Sequence, residues 1–294
     1  MPPRSRPPSA RAATGALLAH HRENNQATAD AWEPFTSHRE RMTAVIEEAA
    51  GEGGQGTVAL LGAGNCNDVD LARLATNHRE VHLVDLDTDA VGRATAHLPA
   101  DIARRVVVHA PVDLSGAYSA LPSLRAPTPT SADLAAFGDA ALARIAEALP
   151  VTFDTVVSAC CFSQLMHSCY LALGRVDHLQ AVAATVARVH ARALVALARP
   201  GGSVILATDT VSSETFPLEE LFATRSPASL LPDLERAGNY LSGTSLSSVR
   251  RLFTGDPAVA AHVEGLPKLV EPWLWRLGQE MTLLVYALCV RRKA

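Results

Sequence analysis

The sequence predicts an α/β protein: a mostly parallel, doubly wound sheet of seven strands, covered by helices and ending in an antiparallel pair. Three observations predict it. Apolar runs of strand length alternate with helical stretches at short spacing. The first run, TVALLGAG, ends in a small-residue turn that opens a helix. The last apolar stretch, PWLWRLGQEMTLLVYALCVRR, reads as two strands with a polar connection.

Taken in order, the elements support that architecture. Residues 1–15, dominated by Pro and Arg, read as a disordered arm. Residues 16–56 read as an N-terminal helical extension, with Trp32, Phe35, Met42, Val45 and Ile46 as its buried positions. The run GEGGQG, Gly51 to Gly56, breaks the helix. The core then spans 57–294. After TVALLGAG come helix DVDLARLATN, strand EVHLVDLD, helix TDAVGRATAHL and strand RRVVVHAPVDL. A loop rich in Pro, Ser and Thr leads to helix AAFGDAALARIAEAL and a fourth strand, TFDTVVSAC. An Ala-rich helix at 177–198 runs into ARPGG and a fifth strand, SVILATDTV. Residues 212–268 read as an insertion of helical pieces before the terminal pair.

Composition bounds the function. At 294 residues the chain can bury a sizeable core. With 48% hydrophobic and 19% charged residues it matches a soluble globular protein. A net charge of −4 supplies no general basic field, so no nucleic-acid partner is expected. Neither a secretory signal nor a bilayer-length apolar run is visible, which predicts a cytoplasmic protein without a membrane partner. The five cysteines form no CxxC pair and read as buried reduced thiols; no metal site is expected.

The glycine turn carries the first functional signal. Gly62-Ala63-Gly64-Asn65-Cys66-Asn67 lets the backbone turn sharply and lets a ligand approach. A dinucleotide turn would have Gly at 67, where Asn67 stands, or at 66, where Cys66 stands. Asp85, at the end of the second strand, is placed to hydrogen-bond both ribose hydroxyls of an adenosine. The following helix opens with Asp68 and Asp70. These acids suit the helix dipole, would repel a pyrophosphate and would tolerate an ammonium group.

The succession LLGAGNCND, LVDLD, VDLSG, FDTVVSAC and ARPGGSVILA, followed by a terminal strand pair, resembles the class I S-adenosylmethionine-dependent methyltransferases. The resemblance covers about 57–210 and 272–292. It implies the Rossmann-like methyltransferase fold, with an antiparallel seventh strand inserted beside the fifth, and S-adenosylmethionine as cofactor. It implies further that Gly62, Ala63, Gly64 and Asn65 lie against the methionine portion. Asp85 would bind the ribose with Leu86 beside the adenine, Val112 and Asp113 would approach the adenine amino group, and Ser158 and Ala159 would line the methyl-donor end. Two positions depart from the family: Leu60 replaces an acid that helps to hold the methionine ammonium group, and Cys66 replaces a glycine. Asn65, Asp68 or a carbonyl after Ser158 would have to take over from the missing acid.

Methyl transfer needs a positioned acceptor, and a base only where the acceptor must first lose a proton. Gln164 and His167, three apart after strand four, are candidates for orienting the acceptor or accepting its proton, with Tyr170 a weaker one. The resemblance implies that the 16–56 extension covers the active site; within it Trp32, Phe35, His38 and Arg39 combine aromatic and cationic groups before the core and are candidates for gripping an anionic or aromatic acceptor. Asp209, at the end of strand five, is placed to complete the pocket. Trp273 and Trp275 share one strand face and suit packing. The expected activity is transfer to an O or N atom of a small molecule. Methylation of protein or RNA, a non-catalytic binding subunit and a nicotinamide-linked enzyme are the alternatives. The apolar terminal strands would also support a homodimer.

Overall fold

The computed structural model describes residues 10–51, 55–277 and 281–294. Two helices, α1 (Ala10–Ala27) and α2 (Thr36–Ala50), precede the sheet. Then come β1 (Thr57–Leu61), α3 (Leu71–Asn77), β2 (Glu80–Val84), α4 (Thr88–Ala96), α5 (Ala100–Ala103) and β3 (Val106–His109). After a 3-10 turn at Leu121–Arg125 follow α6 (Ser131–Ala148), β4 (Phe153–Ala159), α7 (Phe162–Leu173), α8 (Leu179–Leu197) and β5 (Ala198–Ser212). Four short helices, α9 (Leu218–Phe222), α10 (Pro227–Arg236), α11 (Leu246–Thr254) and α12 (Pro257–Ala260), fill the insertion. The chain closes with β6 (Val263–Leu277) and β7 (Met281–Arg292).

The sheet order is β3-β2-β1-β4-β5-β7-β6. β1 to β5 pair in parallel, and β7 runs antiparallel between β5 and β6. This is the seven-stranded, mostly parallel sheet of the Rossmann-like methyltransferase fold. All five residues of β1 are buried because helices cover both faces of the sheet. Side chains alternate between those faces. Val58 and Leu60 pack with Met42, Ile46 and Leu74 on one side. Ala59 and Leu61 join the layer that holds Ile145, Val186 and Leu194 on the other.

Three details depart from the sequence reading. Helix α1 begins at Ala10, so residues 10–15 are helical rather than part of a disordered arm; residues 1–9 lie outside the described residues. Trp32 is 45% exposed rather than buried. β6 begins at Val263, so the insertion ends earlier than 268. No helix among the described residues is long and apolar enough to cross a membrane.

Candidate functional site

The order of the strands reverses at β1 and β4, and the crevice beyond their C-terminal ends is where ligands of open α/β sheets bind. A cavity of about 380 Å³ lies there. Gly62, Ala63, Gly64 and Asn65 line it, with Asp85, Leu86, Val112 and Asp113. A second cavity of about 580 Å³ adjoins it. His21, Asn24, Tyr118, Ser163, Gln164 and Asp209 border both, so the two form one bipartite space.

The turn after β1 is left-handed at Gly62 (φ +77°), Gly64 (φ +48°) and Cys66 (φ +54°). The backbone N–H groups of Gly62 and Ala63 donate to the Val84 carbonyl at 2.9 and 3.2 Å, which ties the turn to β2. Cys66 thus stands in a backbone conformation that favours glycine, at about 1–2 kcal/mol of strain. Burial pushes its thiol pKa up and holds it inert. Cys161 packs so closely that a Cβ on Gly62 would come within 2.3 Å of its own Cβ. Leu60 is buried in the apolar layer beneath α2 and α3, shut off from solvent.

Asp85 is buried. One of its carboxylate oxygens accepts from Gly64 N at 2.8 Å, the other from Asp87 N at 2.8 Å, and His21 Nε2 lies 3.4 Å from the latter. The oxygen that accepts from Gly64 N has a second lone pair for a hydroxyl, while the second lone pair of the other faces His21 Nε2. Asp113 is committed to its own loop: it accepts from Ser115 N, Ser115 Oγ and Tyr118 N at 2.9, 2.5 and 2.6 Å.

Asp68 lines the smaller cavity with 21% of its side chain open. Burial, and then the nearby Asp209 carboxylate, raise its pKa to about 7, against a smaller opposing pull from Arg39. His38 stands behind it. Trp273 Nε1–H donates to His38 Nδ1 at 3.0 Å, so the ring proton of neutral His38 sits on Nε2, 3.8 Å from Asp68. Burial, followed by the charge of Arg39, lowers the His38 pKa to about 3 and keeps the ring neutral. Trp275 stacks on His38 at 4.2 Å and meets Phe35 edge-on at 5.1 Å.

Several expected site residues fall elsewhere. Ser158 is fully buried; its hydroxyl faces His190 Nε2 at 2.9 Å and Cys161 Sγ at 3.3 Å. Neither Ser158 nor Ala159 borders a cavity, because β4 continues through Ala159 and the chain turns only at Cys160 (φ +53°). Cys160 and Cys161 take the cavity wall instead. Of Trp32, Phe35, His38 and Arg39, only Phe35 lines a cavity. The buried stripe of α2 turns His38 and Arg39 toward the sheet, and Arg39 donates to the carbonyls of Trp32 and Asn67 while its guanidinium covers the Trp32 ring at 3.5 Å. Gln164 borders both cavities, whereas His167 and Tyr170 border only the larger one. Among the described residues, no group of three or more His, Cys, Asp or Glu is arranged to hold a metal.

The sequence places the 16–56 extension over the active site but does not single out the α1 residues that line the cavities, His20, His21, Asn24 and Asn25. His20 with Asn24, and His21 with Asn25, repeat at the i, i+4 spacing of one helical face, and that repeat was the available signal. The helix is strapped over the site. Tyr118 Oη donates to the Leu17 carbonyl at 2.9 Å and Asn25 Nδ2 to Asp87 at 3.0 Å. Asn65 Nδ2 donates to the Asn25 carbonyl, and Asn67 Nδ2 to the Thr28 carbonyl, both at 2.6 Å. Asn67 therefore ties the turn after β1 to the chain just beyond α1. Asn67→Ala is expected to raise α1 opening about fivefold, from roughly 1 kcal/mol per lost hydrogen bond. Amide exchange over 17–28 would read this directly, and an unchanged rate there would contradict it.

No protein-family model and no curated protein matches the chain. Among solved structures it is similar to N-methyltransferase NodS from Bradyrhizobium japonicum, at 13% identity over 89% of this chain and 98% of that one, with a TM-score of 0.42. It is also similar to an S-adenosylmethionine-dependent methyltransferase from Methanosarcina mazei, at 11% identity over 82% and 93% and a TM-score of 0.41. An O-methyltransferase family protein from Burkholderia thailandensis aligns at 15% identity over 94% of this chain and 61% of that one, with a TM-score of 0.42.

Proposed function

We propose that the protein transfers a methyl group from S-adenosylmethionine to an O or N atom of a small molecule. The observation that carries this reading is the bipartite space at the strand ends. One part is walled by the glycine turn and Asp85, and the adjoining part is roomy enough for an acceptor. The chemistry of the donor set fits the cofactor. Asp68 and Asp209 line the smaller cavity, and no Lys or Arg does so among the described residues. Two neighbouring carboxylates repel each other until a cation arrives, and they oppose a pyrophosphate. S-adenosylmethionine carries both an ammonium and a sulfonium and supplies, when bound, an electrophilic methyl group.

In this reading Asp68 takes the ammonium that the residue at Leu60 does not reach. Asp85 takes the ribose hydroxyls, and Leu86, Val112 and Asp113 border the adenine. Gln164, at the junction of the cavities, orients the acceptor, and His167 forms part of its wall. Helix α1 excludes water from the junction.

Calorimetric titration with S-adenosylmethionine, S-adenosylhomocysteine and NAD tests the reading. Micromolar binding of the two sulfur compounds is expected, with none of NAD, and loss of binding in Asp85→Ala. A folded protein that binds neither sulfur compound would instead be a binding subunit, and NAD binding would replace the cofactor.

A further inference from the structure

We infer, on the reading just proposed, that the methyl acceptor is a cationic amine with an apolar body, seated in the larger cavity with its nitrogen at Asp209. The walls carry this. Met166, Tyr170, Leu179, Leu241 and Leu283 give the larger cavity an apolar lining. Its acids are Asp209 and Glu214, and among the described residues no Lys or Arg lines it. Its basic side chains are histidines, and burial, followed by the nearby His20, lowers the pKa of one of them, His167. Arg39, the cation expected to grip an anionic acceptor, is tied to the Trp32 and Asn67 carbonyls and reaches neither cavity.

Asp209 stands where the two spaces meet, inside β5 at the register shift between Asp209 and Val211. Its Oδ1 accepts from Ser163 Oγ at 2.5 Å, which fixes the carboxylate from α7. Burial raises its pKa, which makes it a stronger proton acceptor than an exposed carboxylate. An ammonium bound there gives one proton to Asp209, leaving a neutral amine beside a neutral acid. The nitrogen lone pair then forms the N–C bond while the S–C bond breaks with its electrons on sulfur. The methylated ammonium carries the positive charge away from the sulfonium's place, so charge and atoms balance.

The test uses the full chain saturated with S-adenosylhomocysteine. Phenethylamine, tryptamine and cyclohexylamine are titrated calorimetrically against the carboxylates and alcohols of the same bodies. At least one amine is expected to bind about tenfold more tightly than its carboxylate and its alcohol, the size of effect one favourable ionic contact gives. Asp209→Asn, titrated at an S-adenosylhomocysteine concentration first shown to saturate the variant, should erase that preference. With S-adenosylmethionine instead, mass spectrometry should find the methyl on nitrogen. Equal or tighter binding of the carboxylates or alcohols, binding of no probe, or transfer to oxygen would overturn the inference. Should Asp209→Asn not fold, the amine–carboxylate comparison on the native chain still decides. Failure to bind S-adenosylhomocysteine would instead strike the methyltransferase reading itself.

Discussion

Gly62→Ala is expected to abolish cofactor binding and to destabilise the protein severely. Two costs add. At φ +77° a side chain meets the left-handed penalty of about 1–2 kcal/mol. The new Cβ would also lie 2.3 Å from the Cβ of Cys161, far inside van der Waals contact. Both atoms are fixed to backbone, so the turns after β1 and β4 must separate. Overpacking of this kind costs about 1–3 kcal/mol more. A combined loss on the order of 4 kcal/mol is a large part of a domain's stability. Thermal unfolding and titration with S-adenosylhomocysteine measure both effects. Removing the opposing Cβ with Cys161→Gly in the same chain should recover part of the loss, leaving the φ cost. A Gly62→Ala protein with unchanged melting and unchanged binding would refute the close approach of the two turns.

Asp68→Asn is expected to act in opposite directions on stability and on binding. Between its ordinary value of 3.8 and the value of about 7 that burial and Asp209 impose, folded Asp68 holds a proton that the unfolded chain has released. Stability contributed by that proton is lost as pH rises through this window. The Asn variant has no such loss. Its advantage over the native chain should be absent below pH 4, grow up to pH 7 and stay constant above, reaching on the order of 2–4 kcal/mol. Binding of S-adenosylmethionine should weaken about 10- to 100-fold at pH 8, the worth of a charge-assisted contact. The native chain's affinity should fall as the pH drops below 7, while the variant's stays flat. Melting curves across pH and calorimetry at pH 5 and 8 read all three effects. Equal affinity of both proteins at pH 8 would remove Asp68 from the site.

The two predictions draw on different sources of legibility. Gly62 and Gly64 were readable because a sharp strand-to-helix turn restricts which residues can stand there. Asp85 was readable because it ends a strand beside that turn. His38 and Arg39 misled, since aromatic and cationic residues near a site suggest ligand contact, yet the helical stripe containing Met42 and Ile46 carries them inward. Ser158 misled by two residues, because the end of β4 is set by its pairing with β5 rather than by composition.

By itself the sequence determined the layered α/β architecture, the five parallel strands, the terminal pair and the position of the glycine turn. These follow from local chemistry: apolar runs buried on both faces, helical periodicity and the special backbone freedom of glycine. Only the tertiary structure decided that Asn65 and Asn67 fasten the N-terminal segment over the cavity, and that Asp68 and Asp209 share one electrostatic environment. Such groups lie far apart along the chain, and their charges and hydrogen bonds act through space, so their partnership exists only once the sheet has brought the strand ends together.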